Sequence, residues 1–122
     1  VNVAGRVDDI RPLIAGARLF VNPIRLGSGM RGKLLEAFAM ARPVVTTAVG
    51  AQGLEGFPPG CFTVADGAEE FAHAVASLLQ SPDKAAAMGR AARAAFEGGY
   101  DWMALAGRYE AVLERAAGER AG

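Results

Sequence analysis

The sequence predicts an α/β fold, a parallel sheet of about four strands flanked by helices. Three observations lead there. Short apolar runs rich in Val and Phe alternate with stretches of helical periodicity, the pattern of βα units. Those runs lack polar alternation, as expected for strands covered by helices on both faces. A glycine-spaced, cation-bearing segment also runs from one such strand straight into an amphipathic helix, the junction at which open α/β sheets bind ligands.

The expected strands are Val1 to Ala4, Leu19 to Asn22, Val44 to Thr47 and Phe62 to Ala65. Asp8 or Asp9 is placed to cap a short helix carrying Ile10, Leu13 and Ile14, with Pro12 tolerated in its first turn. The main helix is expected over about Met30 to Ala41, with Leu34, Leu35, Phe38 and Ala39 on one side. Ala41 stands where a helix end favours glycine. An alanine in a left-handed cap costs about 1 kcal/mol, which predicts a different ending.

Farther on, Asp66-Gly-Ala-Glu69 has capping-box spacing ahead of Phe71, Val75, Leu78 and Leu79 at helical intervals. Ser81-Pro82 opens another helix, which Gly98-Gly99 ends. Asp101 caps a last one, whose stripe of Trp102, Leu105, Tyr109, Leu113 and Ala116 reads as packing. Successive helices with no strand between them are expected across the sheet or against a neighbouring domain. The stretch from Ala48 to Gly60 is the one long loop, a candidate for function. His73, mid-helix and without a second ligand nearby, reads as structural or solvent-facing. Arg90, Arg93, Arg108, Arg115 and Arg120, spread among glutamates, read as solvated faces.

At 122 residues and 52% apolar composition, the chain is long enough for one domain with a core. Its 13 cations balance 13 carboxylates. That balance gives no support to a duplex nucleic-acid footprint, so the cations clustered in one loop serve something local. Cys61, the single cysteine, cannot form an internal disulfide; it reads as a buried thiol in a reducing compartment. No apolar run approaches the roughly 18 residues of a membrane span, and no signal-peptide pattern opens the chain. Opening on Val1 within a strand-like stretch, the sequence reads as a piece of a longer protein.

The chemistry concentrates in Arg25-Leu-Gly-Ser-Gly-Met-Arg-Gly-Lys33 and in Glu36 just beyond. Glycines let backbone approach a ligand, and the free N–H groups of a first helical turn point at it. Arg25, Arg31 and Lys33 add positive charge, while a carboxylate, being acceptor-only, suits a sugar diol. The blander readings are a tight turn for the glycines and a dipole-favoured glutamate for Glu36. Gly27 to Lys33 also fits the spacing of a phosphate-binding loop of the Gly-x-x-x-x-Gly-Lys type. Against that stands Leu34, where such a loop needs Ser or Thr to hold magnesium.

Beyond the loop, the chain carries Pro23, Arg25, Gly27-Ser-Gly29, Arg31-Gly-Lys33, Leu35-Glu36-Ala37, Pro43-Val44-Val45, Thr46 or Thr47, Gly50 and Gly53-Leu54. This series strongly resembles the C-terminal, nucleotide-sugar-binding domain of GT-B glycosyltransferases of the group 1 (family 4) type. Val3-Ala-Gly-Arg-Val7 and Tyr100-Asp-Trp102 extend the resemblance over essentially the whole chain. Where the family's commonest form has a second glutamate, this chain has Ser28. The resemblance implies a Rossmann-like sheet and one partial domain over residues 1–122, the acceptor domain and first βα units lying outside it.

It further implies retaining transfer of a sugar from a nucleoside-diphosphate sugar, with no bound metal and no cofactor besides that donor. Arg31 and Lys33 are then expected at the leaving phosphates, and the backbone of Gly27, Ser28, Gly29 and Met30 at phosphate or sugar oxygens. Arg25 is a further diphosphate candidate and Glu36 takes the ribose. Acceptor-side catalytic residues are not identified, and the acceptor is a glycan, a lipid or a small molecule. The isolated chain is expected to bind rather than to turn over. A cytoplasmic location follows, at the inner face of the membrane if outside parts attach there. The rival reading is a non-catalytic interaction module whose open sheet edge pairs with a second copy.

Overall fold

A computed structural model of the chain describes residues 1–29 and 31–121. Its elements run α1 (Arg11–Gly16), β1 (Phe20–Asn22), α2 (Gly32–Ala39), β2 (Val44–Thr46), β3 (Thr63–Val64), α3 (Ala68–Gln80), α4 (Pro82–Gly99) and α5 (Trp102–Ala121). The three strands form one parallel sheet in the order β1-β2-β3. Phe20, Val21 and Asn22 lie opposite Val44, Val45 and Thr46, and Val45 and Thr46 opposite Thr63 and Val64. The predicted α/β class holds, with one strand fewer. Val1 to Ala4 is not a strand but exposed chain, ended by Gly5 at φ +70°. A short Val-rich run carries β propensity, but a strand also needs a neighbour to pair with.

Successive strand residues face opposite sides, and β2 shows why both of its valines are needed. Val44 joins Leu34, Ala37 and Phe38 of α2, with Leu54, Phe57, Cys61 and Ala92, in one core. Val45 joins Leu78 of α3 with Ala85 and Met88 in the other. The helix α4 thus serves both cores, Ala92 in one and Ala85 and Met88 in the other. Cys61 is buried, as expected, and burial pushes its thiol above the ordinary value.

The end of α2 departs from expectation. Ala41 does adopt the left-handed conformation, at φ 54°. Its N–H bonds to the Phe38 carbonyl at 2.9 Å and the N–H of Arg42 to the Ala37 carbonyl at 2.9 Å, the paired bonds of a Schellman ending. The two bonds, together with packing from α4, outweigh the alanine's strain. Gly89 of α4 comes so close that a Cβ there would lie 2.8 Å from the Ala41 carbonyl carbon and nearer still to its oxygen. Ala41→Gly is expected to stabilise the fold by about 1 kcal/mol by removing that strain. A rise in the denaturant midpoint at unchanged m-value checks it.

Two caps also differ from the sequence reading, one agrees in position without its side-chain bond, and one agrees fully. In α1 the N-cap is Ile10, while Asp9 accepts from the backbone N–H of Arg11 at 2.9 Å and pairs with its guanidinium at 2.8 Å. The Arg11 hydrogen bonds hold the Asp9 carboxyl below its ordinary value. In α3 the capping box does not form. Gly67 is the N-cap, because the Asp66 carboxylate instead accepts from the backbone N–H of Ala48 at 2.8 Å. Ser81 stands at the N-cap of α4, with proline following, but makes no side-chain cap bond. At α5, Asp101 does cap, accepting from the N–H of Ala104 at 2.7 Å.

The stripe on α5 is not core. Trp102 is 86% exposed, Tyr109 72% and Leu113 67%. Helical spacing establishes that an apolar stripe exists and leaves open what covers it. His73, Arg90, Arg93, Arg108 and Arg115 are exposed, as their patterning suggests; the side chain of Arg120 lies outside the described ones. No described helix is long and apolar enough to cross a membrane.

Candidate functional site

The segment from Pro23 to Arg31 leaves the C-terminal end of β1 and delivers the chain to the start of α2. Gly27 at φ +127° and Gly29 at φ +81° turn it through conformations that other residues rarely adopt. At Gly27 space is limiting as well. A Cβ there would stand 2.5 Å from Nη2 of Arg31. The Arg31 guanidinium therefore folds back along the loop, where its Nη1 donates to the Ser28 carbonyl at 3.1 Å. Its Nε and Nη2 are covered and have no hydrogen-bond partner among the described residues.

Arg31 is the N-cap of α2 with φ −93° and ψ 100°, and among the described residues no side chain caps the helix. The Leu34 N–H bonds back to the Arg31 carbonyl at 2.9 Å, which leaves the amides of Gly32 and Lys33 to meet a ligand, and no acidic residue stands in that turn. Gly27, Ser28, Gly29, Gly32 and Lys33 are all exposed, so none of these described residues closes the helix entrance. Glu36 is also exposed on α2, close along the helix to Lys33. Met30, the remaining loop candidate, lies outside the described residues.

Arg25 belongs to a second grouping. With Pro23, Thr47, Asp66 and Phe71 it lines a cavity of about 260 Å³ at the C-terminal edge of the sheet. The structure therefore brings Arg31 together with Gly27 and Ser28, and Arg25 together with Thr47 and Asp66. Glu36 lies outside that cavity.

A buried polar network fixes the sheet edge, and the sequence reading passed over most of it. Asn22 Nδ2 donates to Thr46 Oγ1 at 3.1 Å, and Thr46 Oγ1 lies 3.3 Å from the Asn22 carbonyl as its donor. Thr47 Oγ1 donates to the Ile24 carbonyl and accepts from the Gly50 N–H at 3.0 Å. Asn22, Thr46 and Thr47 are all buried. The available signal was polar residues closing otherwise apolar runs, in Phe20-Val-Asn22 and Val44-Val-Thr-Thr47. Buried polar groups at such places are hydrogen-bonded to something.

Compared with known families, residues 1–81 match the model of the group 1 glycosyl transferases. The chain belongs to that family. No curated protein and no solved structure matches it. In this group 1 glycosyl transferase the matched span contains every strand of the described residues, the cation loop, α2 and α3, while α4 and α5 follow it. The transferase's loop, first-turn amides and sheet-edge network thus all fall within the family segment. Among the described residues, no three His, Cys, Asp or Glu side chains are grouped to hold a metal ion.

Proposed function

We propose that this chain is the donor-binding part of a GT-B glycosyltransferase that takes a nucleoside-diphosphate sugar and transfers the sugar with retention. The observation that carries the reading is the open N-terminus of α2, reached through a glycine loop that holds Arg31 against its own backbone. Two covered guanidinium nitrogens, Nε and Nη2 of Arg31, have no partner among the described residues, and their N–H groups are the kind of donor an anion's oxygen satisfies. In this reading Arg31, Lys33 and the amides of Gly27, Ser28, Gly29 and Met30 hold diphosphate and sugar oxygens, Arg25 adds charge at the edge, and Glu36 accepts from the ribose hydroxyls. The diphosphate gains charge as it leaves. Amides and cations oriented beforehand stabilise that charge without reorganising, and no metal or further cofactor is called for.

On the same reading residues 1–122 are part of a larger nucleotide-sugar domain, and the acceptor is supplied elsewhere. A soluble cytoplasmic setting, with any membrane attachment through other parts, fits a cytosolic sugar donor.

Calorimetric titration with uridine, guanosine and adenosine diphosphates tests the proposal. Charge-assisted hydrogen bonds contribute about 1.5–3 kcal/mol each, so a few of them bring a dissociation constant near micromolar. Lys33→Ala and Glu36→Ala are each expected to weaken binding about tenfold, with no effect of a chelator. Failure to bind any of the three diphosphates overturns the reading. Binding confined to magnesium and ATP transfers support to the phosphate-loop alternative.

A further inference from the structure

The hydroxyl of Thr47 is the point at which the loops after β1 and β2 meet. It donates to the carbonyl of Ile24, the residue immediately before Arg25, and it accepts from the N–H of Gly50 in the long loop after β2. The next residue, Ala48, is held from the other side by the Asp66 carboxylate at 2.8 Å. Thr47 is itself only 5% exposed, and it lines the cavity that Arg25 and Asp66 share. Backbone pairing ends with Asn22 and Thr46, apart from a long 3.3 Å contact from the Thr47 N–H to the Asn22 carbonyl. Beyond that point, side-chain bonds determine where the β1 loop goes.

We propose that Thr47 is a positioning residue for donor binding: its hydroxyl fixes Ile24, and through it Arg25 and the glycine loop, in the orientation that meets the diphosphate. This rests on the donor-binding reading above and adds a residue that acts through Ile24 and Arg25. A valine at this position keeps the shape and deletes the hydroxyl, leaving the Ile24 carbonyl and the Gly50 N–H without their partner. A serine keeps the hydroxyl.

The test has two arms. In the first, amide ¹⁵N relaxation is recorded on the free chain and on Thr47→Val and Thr47→Ser. Order parameters over residues 25–29 are expected to fall from rigid values of about 0.85 toward 0.6 in the valine variant and to recover in the serine variant. Unchanged order in Thr47→Val overturns the proposal, whether or not any nucleotide binds.

In the second, uridine diphosphate is titrated calorimetrically, with guanosine diphosphate in parallel. Thr47→Val is expected to raise the dissociation constant roughly tenfold at full stoichiometry, with Thr47→Ser near wild type. A merely destabilised fold behaves differently, lowering the number of binding sites while the folded fraction keeps its affinity. That outcome, or equal affinities in wild type and Thr47→Val, overturns the proposal. A wild type that binds no diphosphate refutes the donor-binding reading itself, and the relaxation arm then decides whether Thr47 orders the loop.

Discussion

Gly50→Ala is expected to destabilise the chain by about 3 kcal/mol or more, although it adds a single methyl group. The added Cβ would lie 2.5 Å from Nδ2 of Asn22, closer still to Oγ1 of Thr46, and 3.3 Å from Oγ1 of Thr47. None of these atoms is the free end of a flexible side chain. All three residues are buried, and the Asn22–Thr46 hydrogen bond at 3.1 Å lies directly in the way. Relief therefore means breaking a buried hydrogen bond or pushing β1 away from β2, and each adds to the overpacking cost of about 1–3 kcal/mol. Urea unfolding followed by helical circular dichroism measures the change. Gly98→Ala is the control, since nothing lies within 4 Å of a Cβ there. A Gly50→Ala loss no larger than the control's refutes the network as a tight structural joint.

The second large effect is expected at Phe38, whose replacement by alanine should cost about 3–5 kcal/mol. Phe38 is fully buried, with its ring 4.8 Å from that of Phe57 and 5.8 Å from that of Phe62. Phe57 stacks in turn on Tyr100 at 4.5 Å. One ring thereby ties α2, the long loop after β2, the approach to β3 and the end of α4 into a single core. Its removal leaves a cavity that four separate segments would have to close together, which places the cost toward the upper part of the range. In a chain of marginal stability that is a large share of the total. A measured loss below about 2 kcal/mol would mean that the aromatic cluster repacks freely, contrary to the tight core described above.

These two sites also mark what the sequence made legible. Phe38 was identifiable from periodicity alone, because Leu34 and Phe38 recur at helical spacing and α2 buries both. The α/β class, the sense of βα alternation, the position of the glycine loop and the ends of α4 followed from similarly local signals. Gly50 was less legible, since its role depends on Asn22 and Thr46, which meet only when β1 pairs with β2. The same holds for Asp66. Its sequence neighbours suggested a helix cap, but the sheet edge offers the Ala48 N–H as a competing donor, and that one is taken.

Val1 to Ala4 as a strand, and the α5 stripe as packing within this chain, were misread for a common reason. Both are apolar by composition, and burial requires a surface to meet, which no local pattern contains. Ala41 erred in the opposite direction: the strain was correctly anticipated, while the two Schellman bonds and the close approach of α4 that hold it there are tertiary. For the candidate site, residue types and their order were readable, but the folding of Arg31 onto the loop and the placing of Arg25 beside Thr47 and Asp66 were not.

The exposed indole at the start of α5 has a spectroscopic consequence. Trp102 is the sole tryptophan, and in the folded chain it already stands 86% in solvent. Its emission will therefore be that of a hydrated indole before and after denaturation, so an intrinsic-fluorescence melt will register little even as the cores dissolve. The same fluorophore becomes a sensitive, nearly background-free probe of anything that settles against the last helix.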